Sequence, residues 1–406
     1  MFDPESIRSD FPALQERSGS HAAVYLDNAC MTLKPTAVID AISDWYRRRA
    51  GCHGRTDHLF GQRTTEAFDG AREVLRSFVG AGHVRQIVFT RNATESINLV
   101  ARGLDLKKGD VVLGSGLEHN SNLVPWQVLV EEREVKREIV RVRPDTTFDL
   151  DAYMRRIAAG GVRLVSVLHT SNLTGVTFPV AAIIEAAHRN GALVLLDAAQ
   201  APMTCALDVA ALDVDFLAMS SHKMLGPTGF GILYIADRHL DRLKPLVTGG
   251  ETVLDTTYAT RRIAPAPDRF EAGLQDYAGA SGAAAAALYV QKLGPARIHD
   301  HVVSLNARAT EGLSRLGGMR ILGPADPLAR GSILNFVAER MPPQDLSRLL
   351  NDAAGIMVRF GRHCVHSWFN ETRTPDSVRV SFGPYNTMAE VDFLVDHIGR
   401  ILKHFR

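Results

Sequence analysis

The chain has 406 residues, of which 46% are hydrophobic and 22% charged, an ordinary balance for a globular protein with room for two domains. Its formal net charge of +1 at pH 7 provides no electrostatic basis for binding nucleic acid or an anionic membrane. No apolar run is long enough to span a bilayer, and the mixed, acidic N-terminus does not resemble a signal peptide, so we expect a cytoplasmic protein.

The first half of the chain alternates apolar segments with amphipathic ones. In chain order the predicted strands are QIVFT (86–90), DVVLGS (110–115), RLVSVLHT (163–170), ALVLLDAAQ (192–200), VDFLAMSSHK (214–223) and GFGILYI (229–235). Continuous apolar strands separated by helices are typical of a mostly parallel sheet with helices on both faces. The expected fold class is therefore α/β.

The composition changes after residue 235. A stretch rich in glycine, proline and charge predicts an irregular excursion up to about residue 273, and the alanine-rich residues 279–293 predict a helix. Beyond residue 293 helices mix with shorter strands, which indicates a smaller domain. We expect a large domain over residues 20–290 and a small domain formed by residues 1–19 together with 291–406.

Polar residues cluster after five of the predicted strands. The clusters are RNATES, GSGLEHNSN, HTSNLTG, DAAQ and SSHK. Ligands of open α/β sheets bind at the carboxyl ends of the strands, so we expect the five clusters to converge on one site. That site would include Lys223, which lies between two apolar runs where a lysine is rarely buried unless it is paired or chemically used.

The residue types in these clusters suggest a cofactor. Asp197 ends an apolar strand and needs a cation, either Lys223 in a plain buried pair, which is the commoner case, or a protonated heterocyclic nitrogen. Thr94, where a strand turns into a helix, suits a phosphate, although a helix cap explains this residue equally well. His119 is suited to stacking on a flat ring, but a lone histidine is more often structural. Together these groups suggest pyridoxal phosphate, bound to the lysine as a Schiff base.

A set of longer strings carries a specific resemblance. In chain order they are YLDNA, NATESINLV, LEHNSNLVPWQ, SNLTGVTFPV, LLDAAQ, SSHKMLGPTGFGILY, RFEAG and GRHC. They resemble the class V aminotransferase family of pyridoxal-phosphate enzymes, most closely its Suf-type cysteine desulfurases and selenocysteine lyases. The resemblance covers nearly the whole chain. It implies the fold type I architecture, with a mostly parallel seven-stranded sheet, a smaller α+β C-terminal domain and a homodimer.

The resemblance also implies roles for individual residues. Lys223 would form the Schiff base and act as general base, while His119 would stack on the pyridine ring and shuttle protons. Asp197 would bind the pyridine nitrogen, and Gln200 the phenolic oxygen. The phosphate would be held by Thr94, Ser220, His222 and the backbone near Ala93. The substrate would be bound by Asn172, Arg359 and Arg379, since an arginine fork suits a carboxylate.

Cys364 is the residue that distinguishes a cysteine desulfurase from other enzymes of this family. In GRHCVHSW it occupies the position of the desulfurase nucleophile, whose thiolate attacks the sulfur of L-cysteine and leaves a persulfide and alanine. A thiolate needs a nearby cation, which Arg359, Arg362 and His363 are close enough in sequence to provide. A metal site here lacks a further ligand cluster. The sulfur would then pass to an acceptor protein. The other cysteines, Cys30, Cys52 and Cys205, are widely spaced without a CxxC pair, which argues against disulfides or a zinc ribbon. We expect them to be inert, with Cys30 a partial exception, because the resemblance implies that YLDNAC lies near the substrate pocket.

Several positions depart from the family pattern. Cys30 and Met31 follow YLDNA where small residues are usual, and Asn120 follows His119 where a second histidine is frequent. The usual HRG-type segment appears shifted, as CHGR (52–55). Leu274 follows RFEAG in place of a threonine that reaches the phosphate across the dimer interface.

These departures leave alternatives open. One is another class V enzyme, such as a C–S lyase, selenocysteine lyase, epimerase or decarboxylase, which acts on a different amino acid in a specialised pathway and has no use for Cys364. Another is a scaffold that has lost catalysis, against which the presence of Lys223 and Asp197 argues. A nicotinamide enzyme is disfavoured because no GxGxxG follows a strand.

Overall fold

The computed structural model of the chain describes residues 2–404. Met1, Phe405 and Arg406, which the predicted small domain includes, lie outside the described residues. The α-helices are α1 Pro4–Arg8, α2 Thr36–Arg48, α3 Leu59–Phe78, α4 Ala93–Gly103, α5 Val124–Arg133, α6 Leu150–Ala158, α7 Val180–Arg189, α8 Val209–Leu212, α9 Tyr277–Leu293, α10 Pro295–Ser314, α11 Pro343–Ala354, α12 His366–Thr372 and α13 Met388–His404. None of these helices is both long enough and apolar enough to cross a membrane.

The strands follow the predicted order with additions. They are β1 Arg17–Ser18, β2 His21–Ala22, β3 Val24–Tyr25, β4 Ile87–Thr90, β5 Val111–Ser115, β6 Lys136–Val140, β7 Val162–Leu168, β8 Leu193–Asp197, β9 Phe216–Ser220, β10 Gly231–Ile235, β11 Val253–Thr256, β12 Arg261–Ile263, β13 Met319–Leu322, β14 Ile333–Ala338, β15 Ile356–Met357, β16 Arg359–Gly361 and β17 Ser377–Ser381. The excursion after residue 235, predicted as irregular, contains the short hairpin of β11 and β12.

The central sheet has seven strands in the order β4-β10-β9-β8-β7-β5-β6. The pairs from β9 through β8, β7 and β5 to β6 are parallel, while β10 runs antiparallel to β9 and to β4. The predicted mostly parallel sheet is therefore confirmed. The sequence analysis missed β6 because this edge strand, KREIV, is mostly solvent-accessible and lacks the apolar run of the buried strands.

Helices cover both faces of this sheet. Leu195 and Phe216 belong to one buried cluster, on the side of α4, whereas their neighbours Leu196 and Leu217 belong to another, on the side of α7. Successive residues of a strand point to opposite faces, so a strand that is covered on both sides must be apolar at every position. This is the physical reason for the continuous apolar runs in the sequence.

A second sheet, antiparallel and in the order β13-β14-β17-β16, lies in the C-terminal third of the chain. The N-terminal segment packs against this part: β3 pairs with β15, and Arg8 donates to Glu390 at 2.7 Å. The loop between β16 and α12 carries Cys364 and extends from this second sheet towards the carboxyl ends of the first.

Candidate active site

A cavity of about 260 Å³ lies at the carboxyl ends of β5, β7, β8 and β9. All the predicted site residues line it: Ala93, Thr94, His119, Asn172, Asp197, Gln200, Ser220, His222, Lys223, Arg359, Cys364 and Arg379. The structure thus brings together residues from the five strand-end clusters and from the C-terminal sheet. Within residues 2–404 no group of three His, Cys, Asp or Glu side chains has an arrangement suited to a metal ion.

The loop after β9 fixes the position of Lys223. The backbone N–H of Ser221 donates to Phe230, and the N–H of Gly226 returns to the carbonyl of Ser221, each at 3.0 Å. A Cβ at Gly226 would lie 1.9 Å from Ser221 Oγ, so only glycine permits this tight return. The N–H of Thr32 donates to His222 at 3.0 Å and fastens the lysine loop to the N-terminal segment.

Lys223 has the electrostatic environment of a reactive amine. Burial lowers its pKa below the usual value, and the nearby Asp197 opposes that shift while Arg379 adds to it. A lysine whose ammonium form is destabilised gives up its proton more readily, and nucleophilic and general-base chemistry both require the neutral amine.

Asp197 ends β8 and is buried, with a relative exposure of 6%. Its carboxylate accepts the backbone N–H of Ala199 at 3.0 Å. Burial raises its pKa, with that hydrogen bond and the charge of Lys223 acting in the opposite direction. A carboxylate kept in a poorly solvated wall, beside a cavity, suits a cationic heterocyclic nitrogen.

The other end of the cavity is suited to an anion. Asn92 caps α4 by accepting the N–H of Glu95 at 3.0 Å, and the N–H of Ala93 donates to Ser220 Oγ at 2.9 Å. Thr94 Oγ1 lies 2.7 Å from Ser121 Oγ. Hydroxyl groups at the start of an 11-residue helix provide donors and a favourable dipole for a phosphate.

His119 also lines this cavity. Its Nδ1 accepts the N–H of Ser121 at 3.1 Å and lies 3.0 Å from Ser121 Oγ. Burial, followed by the charges of Lys223 and Arg379, lowers its pKa to about 3. The ring is therefore neutral at physiological pH, with Nδ1 as the acceptor and Nε2 carrying the proton.

Glu118, immediately before His119, is buried and does not line the cavity. It accepts hydrogen bonds from Ser115 Oγ at 2.5 Å, Asn122 Nδ2 at 2.6 Å and the N–H of Leu168 at 3.1 Å. Burial raises its pKa to about 7 in spite of these donors. Sequence reasoning did not select this residue, although a glutamate directly after a buried strand was a usable signal.

Arg379, in β17, is a buried cation with capacity left for a ligand. Its Nη1 donates to the carbonyl of Asn172 at 2.9 Å and its Nη2 to Asp27 at 3.3 Å, while Nε has no partner among residues 2–404. The residue is 2% exposed, and burial lowers its pKa, with Asp27 acting against that shift. A desolvated guanidinium with an unpaired N–H is suited to a carboxylate.

The loop carrying Cys364 is held from two sides. Asn172 Nδ2 donates to the carbonyl of His363 at 2.7 Å, and the N–H of Asn120 donates to the carbonyl of Cys364 at 2.8 Å. The side chain of Asn120 also lies 3.0 Å from His366 Nδ1. Cys364 itself is exposed at the cavity rim. These bonds make Asn120 and His366 positioning residues for the thiol.

The three cations expected near Cys364 are engaged elsewhere. Arg362 donates to Asp376 at 2.9 Å, and His363 Nε2 lies 3.0 Å from Ser377 Oγ. Burial lowers the pKa of His363 to about 2, so its ring is neutral. Arg359 has other partners as well, Asp27 and Cys30. None of the three predicted residues therefore donates a hydrogen bond to the Cys364 thiol.

Arg359 bonds to the N-terminal segment. Its Nε donates to both oxygens of Asp27 at 3.0 and 3.1 Å, and its Nη2 donates to Cys30 Sγ at 2.7 Å. Burial opposes its charged form, but Asp27 and Cys30 together keep its pKa above the usual value. Cys30, which the resemblance places near the substrate pocket, also lines the cavity.

The strand ends of this α/β sheet carry a buried lysine, a buried carboxylate and a site for an anion. These features define an enzyme whose cofactor is covalently attached to a lysine. The Aminotransferase class-V family model matches residues 24–394. The chain belongs to this family, and the fold prediction is confirmed.

Several relatives of the chain are named cysteine desulfurases. A cysteine desulfurase of Synechococcus elongatus is 40% identical over 98% of this chain, which spans 64% of that protein. A probable cysteine desulfurase of Vibrio cholerae is 38% identical over 97% of both chains. Among solved structures, the apo cysteine desulfurase of Thermococcus onnurineus superposes with a TM-score of 0.94 at 33% identity, covering 100% of this chain and 99% of its own. The cysteine desulfurase CsdA of Escherichia coli gives 0.92 at 32% identity, covering 100% of each.

Proposed function

We propose that the protein is a pyridoxal-phosphate-dependent cysteine desulfurase, which converts L-cysteine to L-alanine and collects the sulfur as a persulfide on Cys364. The observation that carries the proposal is one cavity lined by a thiol, Cys364, a desolvated amine, Lys223, and a carboxylate-binding guanidinium, Arg379. Relatives that are 35–40% identical over almost the whole chain and are named cysteine desulfurases support it.

Pyridoxal 5'-phosphate fits the residues of this cavity. Lys223 would be the point of covalent attachment, Asp197 would pair with the pyridine nitrogen, and Gln200 would bind the phenolic oxygen. The phosphate would be held by the N-terminus of α4 with Thr94, Ser220 and His222, and His119 would stack on the ring. When bound, the cofactor supplies an electron sink that stabilises negative charge at the substrate's α-carbon.

The protein's own groups supply the remaining chemistry. Arg379 binds the substrate carboxylate through its unpaired Nε, and Asn172 and Arg359 complete that end of the pocket. The Lys223 amine takes the α-proton, which its lowered pKa favours at neutral pH. The Cys364 thiolate attacks the sulfur of the substrate and forms a bond to it. The bond between that sulfur and the β-carbon breaks, so the sulfur remains on Cys364 as a persulfide.

A homodimer accounts for an exposed apolar surface. Val247, Leu254, Tyr258 and Leu274, which lie in and around the β11–β12 hairpin, are all more than half exposed. Exposed apolar groups concentrated in one segment favour association, and we propose a second copy of the chain as the partner. A sulfur-accepting protein, the cytoplasm as location, and the division into residues 20–290 and 1–19 with 291–406 remain predictions.

Product analysis tests the function. With L-cysteine and a reductant, the wild type should release alanine and sulfide, Cys364→Ala should release neither, and Cys52→Ala, which removes an exposed thiol outside the cavity, should behave as the wild type. A wild type that binds the cofactor but leaves L-cysteine intact would instead support another class V activity. The Cys30–Arg359 contact in the pocket wall is the observation that favours this second candidate.

A further inference from the structure

The cavity contains a second cysteine that the proposed reaction does not use. We propose that Cys30 is a second sulfur-carrying site, which takes the outer sulfur from a persulfide on Cys364. This inference rests on the proposed function, because that reaction supplies the persulfide. Cys30 and Cys364 both line the cavity of about 260 Å³, whereas Cys52 and Cys205 do not.

Arg359 holds the sulfur of Cys30 by a hydrogen bond from its charged guanidinium. Its Nη2 donates to Cys30 Sγ at 2.7 Å, and its Nε is fixed by both oxygens of Asp27. A guanidinium bonded to a sulfur stabilises the anionic form, which is the nucleophile in thiol exchange.

The walls of the cavity also contain two buried polar atoms without a hydrogen-bond partner within residues 2–404, one of them the Arg379 Nε that the substrate carboxylate uses before alanine leaves. In the described part of the chain Arg379 Nε and His363 Nδ1 have no hydrogen-bond partner, although both residues line the cavity and are only 2% and 6% exposed. Cys364 is exposed at the rim, whereas Cys30 is half-buried. A sulfur carried on Cys30 is therefore better shielded from external thiols than one on Cys364.

The transfer is balanced without an added oxidant. The Cys30 thiolate attacks the outer sulfur of the Cys364 persulfide, so a bond forms between Cys30 Sγ and that sulfur. The bond between the two sulfurs on Cys364 breaks, and Cys364 leaves as a thiolate while the outer sulfur keeps its proton. One cysteine is oxidised to the persulfide level as the other is reduced, and the total charge is unchanged.

The test is to locate the sulfur by mass spectrometry. The cofactor-loaded enzyme is given L-cysteine without a reductant, sampled over time, quenched with an alkylating agent and digested, and alanine is measured in the same samples. We expect a persulfide first on Cys364 and then on Cys30, with at least about ten times more on Cys30 than on Cys52. Cys52 and Cys205 serve as internal controls for sulfur exchange in solution.

Two variants separate the possible results. In Cys30→Ser the label should remain on Cys364, and in Cys364→Ala no label should appear on Cys30. Alanine formation with label on Cys364 but no more on Cys30 than on Cys52 would overturn the transfer and leave the desulfurase function intact. Label on Cys30 in Cys364→Ala would also overturn it, since Cys30 would then act on the substrate directly. The absence of alanine in the wild type would overturn both proposals.

Discussion

Asn172 ties the loop of Cys364 to the central sheet, because its side-chain amide donates to the carbonyl oxygen of His363 at 2.7 Å. The carbonyl of Asn172 accepts a hydrogen bond from Arg379 at 2.9 Å, so one residue positions both the thiol loop and the buried guanidinium. His363 and Cys364 have φ values of +50° and +60°, which non-glycine residues adopt only at a cost of about 1–2 kcal/mol each. Bonds such as that from Asn172 offset this cost.

We expect Asn172→Ala to release the loop and to lower the rate of sulfide formation. Loss of one buried hydrogen bond costs about 1–1.5 kcal/mol, which corresponds to a decrease of roughly tenfold. Steady-state kinetics and hydrogen exchange of residues 361–366 measure the two effects. Asn370→Ala, which removes an exposed partner of Arg362 on the far side of the loop, is the control. Unchanged exchange in Asn172→Ala would refute the positioning role.

Lys223→Ala should abolish the visible absorbance of the bound cofactor and the turnover of L-cysteine. The lowered pKa of Lys223 makes it the amine suited to covalent attachment. Lys34 is a close control for Lys223. Burial lowers its pKa to about 8, and its Nζ lies 3.4 Å from the carbonyl of His222, but it does not line the cavity. Lys34→Ala should keep the chromophore. A visible spectrum retained by Lys223→Ala would disprove the assignment.

Much of the site could be predicted because it depends on local pattern. Asp197 ends a buried strand, Lys223 and His119 lie shortly after one, and strand ends of a parallel sheet meet at one edge. The contact between Arg359 and Cys30 joins residues 329 positions apart, so no spacing in the sequence indicates it. Arg359, Arg362 and His363 were expected to stabilise the Cys364 thiolate, but in the structure they bond to other partners. Proximity in sequence does not show which partner a side chain contacts.

Leu274→Thr should strengthen cofactor binding if residues around the hairpin reach the neighbouring site in a homodimer. Leu274 is 72% exposed, and the preceding Glu271 is fixed by two bonds from Arg72, at 2.6 and 2.8 Å. A hydrogen bond from a hydroxyl to a charged group contributes about 1.5–3 kcal/mol, so the dissociation constant should fall at least about tenfold.

Titration of the apoenzyme with pyridoxal phosphate measures this change. Leu254→Thr, which also replaces an exposed leucine in the hairpin, controls for the loss of surface apolarity. Equal affinities in Leu274→Thr and the wild type would show that position 274 does not reach the phosphate of the partner subunit.

Glu118 should make stability decrease as the pH rises. Its pKa is raised from 4.5 to about 7 by burial, so between these values the folded state holds a proton that the unfolded state has lost. The stabilisation is complete below about pH 4.5 and is lost as the pH rises through about 7, a change of about 3 kcal/mol. The amide introduced by Glu118→Gln cannot titrate, so the free energy of unfolding of this variant relative to the wild type should increase by that amount over this window.

Denaturant unfolding at pH 4.5, 6 and 7.5 measures this difference. The amide must turn its N–H groups towards donors such as Asn122 and Leu168, which adds a cost that does not depend on pH, so the trend and not the offset is diagnostic. Glu131→Gln, which removes an exposed carboxylate from α5, is the control. A pH-independent difference between Glu118→Gln and the wild type would mean that Glu118 is already ionised in the folded protein at pH 4.5, and that its three hydrogen-bond donors outweigh the cost of burial.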